Sequence, residues 1–69
     1  MTLKKRSINL SGHATSIALE PEFWAVLEEM ARAQSLSLAA LIGRIDAGRN
    51  GRGLASACRL AALRSLQKS

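Results

Sequence analysis

The chain has few of the residues that staple small proteins together. Its 69 residues include one cysteine, Cys58, and one histidine, His13. A lone thiol closes no internal disulfide, and one cysteine with one histidine falls short of the four ligands of a structural zinc. No metal and no cofactor is therefore expected. Tyrosine is absent, and Phe23 and Trp24 are the only aromatics. No apolar run approaches the ~18 residues that would span a bilayer, and no hydrophobic leader follows the basic start. The expectation is a cytoplasmic chain with no membrane partner.

Acidic residues are scarce too. Ten Lys and Arg face five Asp and Glu, for a formal net charge of +5. On so small a body that imbalance favours a polyanion as partner. The few acids are spread along the chain without the pairing that acid–base work requires, and His13 stands in no nucleophile motif, so no catalytic residue and no enzyme is expected. The glycine-rich run "GRNGRG" at 48–53 lacks the Gly-Lys-Ser/Thr of a Walker loop.

What remains is 48% apolar residues, mostly alanine and leucine, which favours helices in a single domain over residues 1–69. A chain of this length buries only about 60% of its unfolded surface, and with disulfide and metal excluded, oligomerisation is the route left to reinforce it.

Residues 1–12 read as a basic arm or an extra strand: Lys4, Lys5 and Arg6 lead into Ile8 and Leu10, which alternate with Ser7 and Asn9 before Ser11-Gly12 interrupts. In "GHATSIALEPEFW" the alternation resumes. A strand there turns Thr15, Ile17 and Leu19 inward and Ala14, Ser16 and Ala18 outward. Pro21 opens a helix, with Glu20 and Glu22 at the positive end of its dipole. Phe23, Leu27, Met30 and Ala31 form the apolar stripe and Trp24 its neighbouring edge, both aromatics being read as core.

That helix is expected to stop near Gln34, and Ser37 to cap a second one carrying Leu38, Leu41, Ile42 and Ile45 on one stripe up to Gly48. Residues 48–53 read as a mobile basic loop and 54–67 as a third helix. The third helix is apolar on two sides: Leu54, Ala57, Cys58 and Ala61 on one, Leu60, Leu63 and Leu66 on the other. A helix with two apolar sides has a second surface to cover.

The segments "KRSINLSGHATSIALEPEFWAVLEEMA", "LSLAALIGRIDA" and "LASACRLAAL" resemble those of small bacterial single-domain ribbon-helix-helix proteins, of the Arc, MetJ and CopG superfamily. The resemblance implies a mostly α fold with a short β ribbon: strand, helix, helix and a C-terminal helix, in an intertwined homodimer. It implies strands of two subunits paired in the DNA major groove, with Ala14, Ser16 and Ala18 facing the bases. Phosphates would meet Ser37 and Leu38 at the second helix's start, together with Lys4, Lys5, Arg6, Arg49 and Arg52. The dimer core would comprise Ile17, Leu19, Phe23, Trp24, Leu27, Leu38, Leu41, Ile42 and Ile45. Transcriptional regulation or an antitoxin-like role follows. The alternative is a dimer that binds a protein partner through the third helix and reads DNA weakly or not at all, because Ala14 and Ala18 offer no hydrogen bond. Where Ser35 stands, glycine is common in that superfamily.

Overall fold

The computed structural model describes residues 2–68. Two strands, β1 (Lys4–Leu10) and β2 (His13–Leu19), precede three helices, α1 (Pro21–Ala33), α2 (Leu38–Ala47) and α3 (Leu54–Gln67). The strands pair antiparallel with each other, from Lys4 opposite Leu19 to Leu10 opposite His13. Of the two readings of residues 1–12, the extra strand is the one found. The link is two residues long, Ser11 and Gly12, with φ of +52° and +84°. Positive φ at both central positions makes a type I′ turn, whose twist suits a hairpin.

One edge of His13–Leu19 is thus taken by β1 of the same chain, and its other edge has no strand beside it among the described residues. A two-residue link closes a hairpin at little entropic cost, which favours this local pairing.

One face of the hairpin carries the large apolar side chains of both strands. Ile8, Ile17 and Leu19 are buried, and the three helices pack beneath them, α2 against β1 and α3 against β2. Trp24, Leu27 and Ala31 of α1, Leu41 and Ile42 of α2, and Ala57, Cys58 and Ala62 of α3 complete the core. Of the residues expected in a dimer core, Ile17, Leu19, Trp24, Leu27, Leu41 and Ile42 are thus buried within one chain, while Phe23, Leu38 and Ile45 pack half-buried around them.

Two helical stripes are rotated from the expected ones. Trp24, not Phe23, centres the buried face of α1 and is 2% exposed. Its indole Nε1 donates to the carbonyl oxygen of Lys4 at 2.8 Å, which ties α1 to the start of the hairpin. On α3, Ala62 is buried where Ala61 was expected, and Leu63 and Leu66 remain exposed.

The turn from α1 to α2 follows from its hydrogen bonds. The N–H of Leu36 donates to Ala31 at 2.8 Å and that of Ser35 to Arg32 at 3.1 Å, the two bonds of a Schellman motif. The residue between cap and exit must then be left-handed, and Ser35 has φ +57°. A side chain in that region costs roughly 1–2 kcal/mol, part of which glycine returns through its greater freedom in the unfolded chain. Ser35→Gly is accordingly expected to stabilise the fold by about 0.5 kcal/mol, read as a small rise in the urea midpoint. A lowered midpoint would contradict the strain.

Cys58 is fully buried, and burial pushes its thiol above the ordinary value, with the Arg59 charge opposing and Asp46 reinforcing. It packs as a small apolar side chain.

Candidate nucleic-acid interface

A hairpin has two faces, and the helices cover one. The other carries Lys5, Ser7 and Asn9 from β1 beside Ala14, Ser16 and Ala18 from β2. The register sets Lys5 opposite Ala18, Ser7 opposite Ser16 and Asn9 opposite Ala14. Ala18 is half-buried and the other five are exposed. The outward positions read from β2 alone are a hydroxyl between two methyls. Pairing with β1 adds an ammonium, a second hydroxyl and a carboxamide to the same surface.

Ser7 and Asn9 join this face in addition to the expected contacts, and the sequence carries a signal for them. Ser7 and Asn9 alternate with Ile8 and Leu10, and a two-residue link containing glycine separates that run from the next alternating one, which is a hairpin pattern.

Arg6 belongs to the opposite face, which corrects its grouping with Lys4 and Lys5. Its guanidinium bonds the Glu28 carboxylate at 3.0 Å and lies over the Trp24 ring, 4.9 Å from the centroid. The strand period forces this: Lys5 and Arg6 are adjacent, so their side chains leave opposite sides of the sheet. Lys4 shares the side of Arg6 but is exposed at the strand's start.

Ser37 caps α2 as expected, its Oγ accepting the N–H of Ala40 at 3.0 Å. The N–H groups of Leu38 and Ala39 have no acceptor inside the helix, and no acidic side chain occupies its first turn. That end keeps its partial positive charge. The Leu38 side chain itself is half-buried.

Residues 48–53, expected as a mobile loop, are tied down. The Arg52 N–H donates to Arg49 at 3.0 Å across Asn50 and Gly51, whose φ of +53° and +82° make a second type I′ turn. Arg49 donates through Nε to Asp46 at 2.6 Å and through a terminal nitrogen to the Arg52 carbonyl at 2.7 Å. Arg49 and Arg52 thus lie together beside the C-terminal end of α2.

At the other end of α1, Arg59 of α3 donates to Glu20 at 3.0 Å and lies over Phe23, 5.9 Å from the centroid. A hydrogen bond from its own backbone N–H, and then the bond from Arg59, hold the Glu20 carboxyl below its ordinary value of 4.5. A carboxyl lowered in the folded state stabilises the fold above pH 4.5 and loses that contribution as pH falls through the folded value. Thermal unfolding below pH 4.5 should accordingly show a steeper acid loss for the native chain than for Glu20→Gln. Parallel acid profiles would deny the pair a part in holding α3 to α1.

No helix among the described residues is long and apolar enough to cross a membrane. The sequence model of a ribbon-helix-helix domain matches residues 3–66, which takes in both strands and nearly all of the three helices. Neither curated proteins nor solved structures supply a match.

Proposed function

The chain belongs to the ribbon-helix-helix family, whose members are generally DNA-binding regulators or antitoxins, and from that premise we propose that it binds duplex DNA with the outer face of its hairpin. The observation that carries the proposal is the composition of that face: Lys5, Ser7, Asn9 and Ser16, all exposed, on a two-stranded ribbon whose other side buries Ile8, Ile17 and Leu19 against the helices.

A ribbon of this kind fits the major groove, about 12 Å wide, with strands about 4.8 Å apart. An asparagine carboxamide pairs with adenine N6 and N7, a lysine with guanine O6 and N7, and serine with either. The methyls of Ala14 and Ala18 suit the thymine methyl. Lys4, the α2 N–H groups at Leu38 and Ala39, and the Ser37 hydroxyl are the proposed backbone contacts, and these position without choosing a sequence. Arg6 is left out, because Glu28 and Trp24 already engage it.

Homodimerisation and a role in transcriptional regulation or as an antitoxin-like protein are part of the reading. The dimer is supported by the habit of the family and by the hairpin's two outer edges, each a row of backbone groups with no strand beside it among the described residues.

One observation favours a second reading, a module that binds protein. Leu63 and Leu66 are 47% and 58% exposed, and Leu66 borders an apolar groove with Ala25, Val26 and Met30 of α1. Copurification of a stoichiometric protein, with no response to DNA, would support that reading.

Titration with duplex DNA at two salt concentrations separates the two. Counterion release predicts an affinity that falls steeply with salt, by about a factor of 10–1,000 from 50 to 200 mM for a handful of phosphate contacts. An absence of binding even at the lower salt would sink the DNA reading.

A further inference from the structure

The chain has seven arginines, and four acids divide them in two groups. Arg6 pairs with Glu28, Arg32 with Glu29, Arg49 with Asp46 and Arg59 with Glu20. Among the described residues, Arg44, Arg52 and Arg64 have no acidic partner, and all three line one concavity. It lies between the C-terminal part of α2, the 48–53 turn and α3, has a volume of about 280 Å³, and Arg49 also lines it.

Three unpaired cations gathered at one site repel one another, and an anion between them removes that cost. The arrangement is prepared in advance. Arg49 is held by Asp46 and grips the Arg52 carbonyl, while the Asn50-Gly51 turn fixes the chain between the two arginines. Arg49 is therefore a positioning residue, and Arg44, Arg52 and Arg64 are the contacting ones.

The guanidinium groups also set the chemistry. Each presents a planar fork of donors that matches two oxygens of a phosphate, and several forks around one concavity match a short chain of phosphates better than a single carboxylate. At about 280 Å³ the space is at the small end of ligand sites, which favours a small anion. A concavity of this size takes in a small anion, whereas a duplex would touch only its rim. The lining of the concavity on α2 begins at Arg44, about 9 Å along that helix from the Leu38 N–H proposed for the DNA backbone.

We infer that this concavity is a binding site for a small anion bearing two or more linked phosphates, either a free phosphate chain or that of a nucleotide. It stands apart from the DNA reading, since the ligand would bind the chain without duplex present.

The test is calorimetric titration of the full chain with inorganic pyrophosphate and with ADP at low ionic strength. Both are expected to bind. A tenfold advantage of ADP assigns the ligand to a nucleotide, equal affinity assigns it to the phosphate chain, and both outcomes support the site. Arg52→Gln with Arg64→Gln should weaken pyrophosphate binding at least tenfold while leaving the circular dichroism spectrum unchanged, because both side chains are exposed. Lys5→Ala, on the hairpin's outer face, should leave pyrophosphate affinity as it was. The inference is overturned if pyrophosphate fails to bind, if the double variant binds it equally well, or if the double variant loses duplex affinity while Lys5→Ala does not. The last result would make the arginines part of a DNA surface.

Discussion

Trp24→Ala is expected to leave the chain largely unfolded at room temperature. Trp24 is 2% exposed, and its indole also bonds the hairpin, through the Lys4 carbonyl at 2.8 Å. Truncating a buried tryptophan costs about 3–5 kcal/mol. A domain of this size has little more than about 3–5 kcal/mol to lose. The same substitution strips the ring from under the Arg6 guanidinium, which keeps its ion pair with Glu28. Far-ultraviolet circular dichroism should show most of the helical signal gone. Trp24→Phe keeps the ring and loses the indole bond, so a cost of about 1 kcal/mol is expected with the fold retained. If the alanine variant unfolds at the native midpoint, the indole is not the link between hairpin and helices.

Asn9→Ala is expected to reduce discrimination among DNA sequences without weakening binding to a random duplex. A bidentate contact to a base is worth about 1–3 kcal/mol of discrimination, a five- to 150-fold loss at the preferred site. Lys5→Ala on the same face should weaken that site too, whereas removing the Lys4 ammonium should lower affinity for every duplex alike and flatten the salt dependence by about one unit of slope. Selection of bound sequences from random duplexes, followed by titration of each variant on the selected and a scrambled site, measures both effects. Asn9→Ala with an unchanged preference would remove the base-reading role from the hairpin.

The helices were legible in the sequence because their boundaries depend on local chemistry. Pro21 starts α1, the Ser37 hydroxyl caps α2, and Gln34 and Gly48 end the two helices, all within a few bonds of the residues that decide them. The exposure of Leu63 and Leu66 was likewise anticipated by a helix apolar on two sides. The family resemblance carried the fold class, and the match over residues 3–66 agrees with it.

The hairpin was harder to read. Serine at the first central position of a type I′ turn is a weak signal compared with asparagine, and Ser11 adopts φ +52° because the strands on either side bury Ile8 and Ile17 together. In residues 48–53 the stronger Asn-Gly signal was present without alternating apolar flanks, and it makes a turn between helices instead. The position of Arg6 was beyond reach for another reason. Nothing near it in sequence announces a carboxylate 22 residues away or a ring beside it. Charge composition gives the number of cations, and only the tertiary fold divides them between internal ion pairs and free surface.

The central claim is that the hairpin's outer face meets the DNA. Amide chemical shifts of the nitrogen-15-labelled chain, followed as duplex DNA is added, test it residue by residue. The account predicts the largest shifts at Lys5, Ser7, Asn9, Ala14, Ser16 and Ala18, with smaller ones at Leu38 and Ala39. Shifts confined to the α1–α3 groove around Val26 and Leu66, or to the Arg44, Arg52 and Arg64 concavity, with the hairpin silent, would contradict it.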